Sequence, residues 1–139
     1  VKIGKNSYLK GDIILGEGVR IGGNVQISTY PGQILKIGKN TEILGGDILK
    51  GNLQIGNNSH IESWVRITGN NEYPVKIGDN VLIKGTTYIF GCLIDSDVSI
   101  EHCILKRKHI RKKLFKNGKA KALRYIFPKE EGTDCLEDL

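Results

Sequence analysis

Aliphatic residues recur in this chain every six positions, and few folds accommodate that period. The anchors are Ile3, Leu9, Leu15, Ile21 and Ile27, then Ile37, Ile43, Leu49, Ile55, Ile61 and Ile67, then Ile77, Ile83 and Ile89. Ile94 follows after a five-residue step, and Ile100 after a further six. An amphipathic helix would repeat at three and four, and a half-buried strand at two over a short stretch. Six is a short strand plus a corner. Within each unit the anchor and the residue four later point inward, as strand alternation requires. Those later residues are small or β-branched: Ser7, Val19, Val25, Thr41, Ser59, Val65, Val81, Thr87 and Val98. Gly and Asn cluster between them, at corners where φ is often positive. Three units close one triangular coil, so the expected fold is all-β, a parallel β-helix of about five coils over residues 1–105. The composition suits many tight turns better than a layered core, with 18 Gly, 39% hydrophobic and 6% aromatic residues.

Two steps are longer. Ile27 to Ile37 and Ile67 to Ile77 each take four extra residues, and each insertion carries a Tyr-Pro pair, Tyr30-Pro31 and Tyr73-Pro74. The flanking segments match at an offset of two coils plus one insertion, so both loops should leave the same corner, two coils apart. The plain reading is a pair of tolerated insertions. The functional reading is a shared wall of a cleft, because loops on rigid scaffolds are where sites are built.

Charge divides the chain near Lys106. Residues 1–105 hold 10 Lys/Arg and 10 Asp/Glu, residues 106–129 hold 11 Lys/Arg and no acid, and residues 130–139 hold five acids and no base. A neutral repeat body is thus followed by a second region, 106–139, of basic connector and acidic tail. Within that region Ala120, Leu123, Ile126 and Phe127 fall at helical spacing before Pro128, which predicts a short C-terminal α-helix over 119–127. Cys92, Cys103 and Cys135 are an odd set without framework spacing, which points to free thiols in a reducing compartment. Cys92, His102 and Cys103 fit no standard zinc pattern, so no metal is expected. No apolar run approaches the ~20 residues of a membrane helix. The expected location is cytoplasmic, or an organelle matrix if a targeting segment preceded Val1.

These repeats resemble the hexapeptide-repeat superfamily, whose [Leu/Ile/Val]-Gly-x-x-[small]-x units wind a left-handed β-helix. The superfamily includes acyltransferases, γ-class carbonic anhydrases and domains attached to sugar nucleotidyltransferases. Tyr73-Pro74-Val75-Lys76-Ile77-Gly78-Asp79-Asn80-Val81 is similar to the Tyr-Pro-Val-x-Ile-Gly-Asp-x-Val stretch of the γ-carbonic anhydrase group. Gly46-Asp47 resembles a Gly-Asp pair of that group. Ala120-Lys121-Ala122-Leu123-Arg124 resembles the start of its terminal helix, with Lys119 in place of proline. The resemblance implies left-handed winding and a homotrimer, or a heterotrimer, with sites between subunits. It does not carry over the zinc chemistry. The three histidine positions of that group fall on Thr68, Gly85 and Phe90, and its orienting glutamine falls on Glu62. Carbonic anhydrase activity is therefore not expected, and those four residues mark an interface cleft that is either dead or reused.

The remaining candidate chemistry is sparse. His102 lies two residues after Ile100, in the column of Gly85 one coil on; it is the candidate general base, against a reading as a capping or solvent-facing residue. His60 points outward, and His109 belongs to the basic run. Lys106, Arg107, Lys108, Arg111 and Lys112 could bind the phosphates of a coenzyme A thioester or another anionic ligand. They could equally be a solvated face or a cap on the open strand edges. No recognition motif or stacking aromatics accompany them, which argues against specific nucleic acid binding. Two functions follow: a coenzyme A-dependent acetyl- or acyltransferase using His102, or a non-catalytic trimeric scaffold subunit. A domain of a sugar nucleotidyltransferase is a third reading.

Overall fold

The computed structural model describes residues 1–112, 123–126, 129–131 and 136–139. The chain winds as a parallel β-solenoid, three short strands to a coil. The first coil is β1 (Lys2–Ile3), β2 (Tyr8–Lys10) and β3 (Ile13–Leu15); the second is β4 (Arg20–Ile21), β5 (Gln26–Ser28) and β6 (Leu35–Ile37). The third is β7 (Glu42–Ile43), β8 (Ile48–Gly51) and β9 (Leu53–Ile55); the fourth is β10 (His60–Ile61), β11 (Arg66–Gly69) and β12 (Val75–Ile77). The fifth is β13 (Leu82–Ile83), β14 (Tyr88–Phe90) and β15 (Leu93–Ile94); the sixth is β16 (Ser99–Glu101), β17 (Ile104–Lys106) and β18 (Lys108–Ile110). The strands of each column pair in parallel into three sheets: the first from β1 to β16, the second from β2 to β17, the third from β3 to β18. This architecture is consistent with the left-handed β-helix implied by the resemblance.

The anchors do what their spacing predicts. Ile27, Leu49, Ile67 and Ile89 stack in register down the second sheet, fully buried. Ile43, Ile61, Ile83 and Ile100 do the same in the first. Each such side chain stabilises the column by about 1.5–3 kcal/mol relative to leaving it in water. Ile3, with a neighbouring coil on one side only, is 51% exposed.

Small polar residues at the inward corners close the coil-to-coil hydrogen bonding. Thr41 Oγ1 donates to the Gly56 carbonyl (2.7 Å) and accepts the Ser59 N–H (3.1 Å), and Ser59 Oγ repeats this with Gly78 and Val81.

Six coils form rather than about five. The anchor series continues past Ile100 through Leu105 and Ile110, both buried, but in five-residue steps. A five-residue step needs a tighter corner. At the step from Ile89 to Ile94 that corner is Gly91 (φ 60°), whereas the two later steps place His102 (φ 48°) and Arg107 (φ 48°) in the same left-handed conformation. Without a glycine to mark them, those corners are invisible to a search for the six-residue unit. Lys106 ends β17, and Lys108–Ile110 pairs with β15 as Leu93↔His109 and Ile94↔Ile110.

The helix expected over 119–127 is not found where the chain is described. Leu123–Ile126 is a strand, β19, pairing in parallel with β16 as Ile100↔Leu123 and Glu101↔Arg124. The exposed N–H and C=O row of β16 supplies a ladder partner that helical spacing alone does not anticipate. The other residues of that span lie outside the described residues, as does Cys135. β20 (Lys129–Glu131) pairs antiparallel with β19, and β21 (Leu136–Asp138) pairs antiparallel with β18. Parallel stacking therefore gives way to antiparallel pairing at this end of the stack.

Both insertions leave the corner between the second and third sheets, at β5–β6 and β11–β12, two coils apart as expected. Cys92 and Cys103 are buried thiols. Among the described residues no helix is long and apolar enough to cross a membrane.

Candidate functional site

The corner between the first and second sheets carries a column of non-glycine residues in left-handed conformation: Asn6, Asn24, Trp64, Thr86 and His102. Strained backbone of this kind in residues other than Gly or Asn concentrates at functional sites. His102 is exposed and contacts Thr86, its Nδ1 2.7 Å from Thr86 Oγ1. Counting six from the anchor aligns His102 with Gly85. The five-residue step shortens its corner by one and brings it against Thr86 instead. The shortened step between Ile100 and Leu105 was the available signal for that partner.

Thr86 Oγ1 lies 2.7 Å from both the Gly85 carbonyl oxygen and His102 Nδ1. When its one proton goes to the carbonyl, Oγ1 accepts from Nδ1–H, and the Nε2 lone pair of the neutral imidazole is free. Nε2 bonds to no described residue. Around this pair, Glu62 Oε1 accepts the Gly85 N–H (3.2 Å), and Lys84 pairs with Glu101 (3.0 Å). One coil before Thr86, Trp64 is 71% exposed and lies against Gly46; a Cβ at Gly46 would sit 2.7 Å from the Trp64 ring.

The four expected cleft residues do not meet in one chain. Glu62 and Gly85 lie at the corner between the first and second sheets. Thr68 and Phe90 pair in register at the far end of the second sheet, next to Lys106.

The basic run is largely satisfied within the chain. Lys108 pairs with Asp138, Arg111 with Glu137 (3.1 Å) and Lys112 with Asp97 (2.9 Å), while Arg107 lies 5.5 Å over the Tyr73 ring. His109 Nε2 meets Asp95 at 2.8 Å. Asp95, Asp97 and Asp138 are held below the ordinary carboxylate range by these partners, which for Asp95 outweigh an opposing desolvation. Of the five residues expected to hold anionic phosphates, only Lys106 forms no such contact among the described residues. The end of the acidic tail, β21, pairs with the basic strand β18.

Asp47, noted in the sequence only as part of a Gly-Asp pair, is a buried carboxyl. It occupies the inward position four after Ile43, equivalent to Val25 and Val65 in adjacent coils, and is fully buried. Oδ1 accepts the Val65 N–H (2.8 Å), and Oδ2 has no partner. Burial pushes its pKa from 3.8 up to about 8, against the lowering effect of two backbone hydrogen bonds. The signal was present: a carboxylate in a column otherwise small or β-branched. Among the described residues no three His, Cys, Asp or Glu side chains gather in a way that could hold a metal.

No protein-family model matches the chain, and no curated protein does. Among solved structures it is similar to LpxA from Acinetobacter baumannii, at 17% identity and a TM-score of 0.48. That match covers 93% of this chain and 66% of the other, so this chain spans about two thirds of that protein's length. At that similarity the likeness carries nothing about chemistry.

Proposed function

We propose that the protein is a hexapeptide-repeat transferase, left-handed in winding, that moves an acetyl or other acyl group from a coenzyme A thioester with His102 as general base. The observation that carries this reading is the contact of exposed His102, through Nδ1, with Thr86 Oγ1 at a strained corner, which supports the tautomer that keeps its lone pair on Nε2. Nε2 accepts the proton of an acceptor hydroxyl or amine as that group attacks the thioester carbonyl, and returns it to the departing thiolate. Positioned proton transfer of this kind contributes about 10²–10⁴-fold in rate. Lys106, aligned with Thr68 and Phe90, is the cation among the described residues of the basic run left for the donor's phosphates. The separation of the cleft residues onto two edges of the second sheet supports a homotrimer with the site between copies.

The test is calorimetric binding of acetyl-coenzyme A, followed by thiol release with a panel of hydroxyl and amine acceptors. His102→Ala should lower turnover by about 10²-fold or more, and Thr86→Val should lower it less. Absence of binding at millimolar ligand, or unchanged turnover in His102→Ala, overturns the reading.

A second reading rests on the internal pairing of Arg107, Lys108, Arg111 and Lys112, which makes the basic run a cap rather than a ligand site. In that reading the protein is a non-catalytic trimeric scaffold subunit. Isolation of the native protein free of partners, with an occupied cleft, counts against it.

A further inference from the structure

The two insertion loops flank a notch that the proposed reaction does not use. Coil three has no insertion, so its corner, Asn52–Leu53, lies recessed between the loop of coil two and that of coil four. Ile34 and Pro74 form the walls, Leu53 the floor, and Lys36, Gln54 and Lys76 the open side, enclosing about 270 Å³. Among the described residues no acidic side chain lines it.

The walls are held in place. In the first loop Tyr30 N–H donates to Gln33 Oε1 (2.9 Å) and Gln33 N–H returns to the Tyr30 carbonyl (3.0 Å). In the second loop Tyr73 N–H donates to Asn70 Oδ1 (2.6 Å) and Asn70 N–H returns to the Tyr73 carbonyl (3.1 Å). The same clasp appears in both, run in opposite directions. Asn52 ties loop to loop, accepting the Ile34 N–H (2.9 Å) and donating from Nδ2 to Asn71 Oδ1 (2.5 Å). A cleft with pinned walls needs little ordering when a ligand enters, which favours binding.

The charges follow from the register. Lys36 pairs with Gln54 and Gln54 with Lys76, each the outward residue of its strand. The two lysines therefore stand two strand spacings apart, about 10 Å, on flexible stems that can converge over the Gln54 amide. Neither enters an ion pair among the described residues, in contrast to Lys108 and Lys112.

From this we infer that the notch binds a small phosphomonoester, its phosphate held by Lys36, Lys76 and the Gln54 amide and its apolar or planar body between Ile34 and Pro74. The volume lies just below the roughly 300–1,000 Å³ usual for ligand pockets, which limits the body to about one ring. This goes beyond the proposed transferase and does not depend on it.

The probe is phenyl phosphate, titrated into the full chain and followed by backbone amide NMR shifts. Saturable shifts are expected at Ile34, Lys36, Leu53 and Lys76. Inorganic phosphate and phenol alone should each bind about tenfold or more weakly, because each keeps only half of the contacts. Lys36→Gln and Lys76→Gln should each weaken phenyl phosphate severalfold, and Ile34→Ser should weaken phenyl phosphate but not inorganic phosphate. All three positions are solvent-facing, so unchanged thermal unfolding will accompany these losses. Shifts confined to 106–112, equal affinity for inorganic phosphate, or no saturation overturns the inference. Since phenyl phosphate carries no acyl group and needs no His102, its failure is separable from failure of the transferase reading.

Discussion

Asp47→Asn should make the protein more stable at alkaline pH and leave it nearly unchanged at acid pH. The wild-type carboxyl is fully buried, and burial raises its pKa from 3.8 to about 8. In the unfolded chain it loses its proton near pH 4, whereas the folded chain retains it to about pH 8. Between those values the folded state binds more protons, so stability falls as pH rises, by about 1.4 kcal/mol per pH unit, and levels off above the folded pKa. Over about four units the upper bound is roughly 6 kcal/mol; water reaching the ionised carboxylate keeps the real span to several kcal/mol. Asparagine preserves the acceptor for the Val65 N–H and cannot ionise. The difference between variant and wild type should therefore be small at pH 5 and grow to a few kcal/mol by pH 8. Urea unfolding followed by circular dichroism from pH 5 to pH 9 measures it. Ionisations common to both proteins cancel in the difference, and Asp95, Asp97 and Asp138, with lowered pKa, lose their contribution only below this window. Parallel stability curves for the two proteins would refute a buried, protonated Asp47.

Further substitutions test the coil geometry. Gly51→Ala combines a φ of 92° with a Cβ 1.8 Å from the Gly69 carbonyl oxygen, so thermal unfolding should show a loss exceeding about 2 kcal/mol. Gly32→Ala, with φ 84° and open space around it, should lose only about 1 kcal/mol. Ile67→Ala, fully buried between Leu49 and Ile89, should lower stability by about 2–5 kcal/mol in denaturant, whereas Ile104→Ala on the outer face should change it by less than about 0.5 kcal/mol. Gly46→Ala pushes a methyl into the ring of Trp64, the one tryptophan; its emission should shift while stability drops by about 1–2 kcal/mol.

The candidate site was less legible than the scaffold. His102 was readable as a histidine in the column of Gly85, but its contact with Thr86 was not, because the step beyond Ile100 is five. The basic run was readable as charge, but not as charge already answered: Glu137 and Asp138 reach Arg111 and Lys108 only because β21 pairs antiparallel with β18. The helix expected at Leu123–Ile126 failed for a related reason. Apolar spacing there fits more than one element, and the open edge of β16 decided for a strand.

By itself the sequence determined what is strictly local and repetitive: the inward anchors, the corner residues, the common corner of the two loops. These follow from a six-residue period because each coil repeats the environment of the one before it, so one unit predicts the next. The tertiary structure alone decided what depends on residues brought together from different coils or from beyond the repeat. Asn52 spanning two loops, Lys36 and Lys76 flanking Gln54, and Thr86 orienting His102 are all such cases. Hydrogen bonds and charges act over a few ångströms in space, and stacking at ~4.8 Å makes neighbours of residues more than a dozen positions apart.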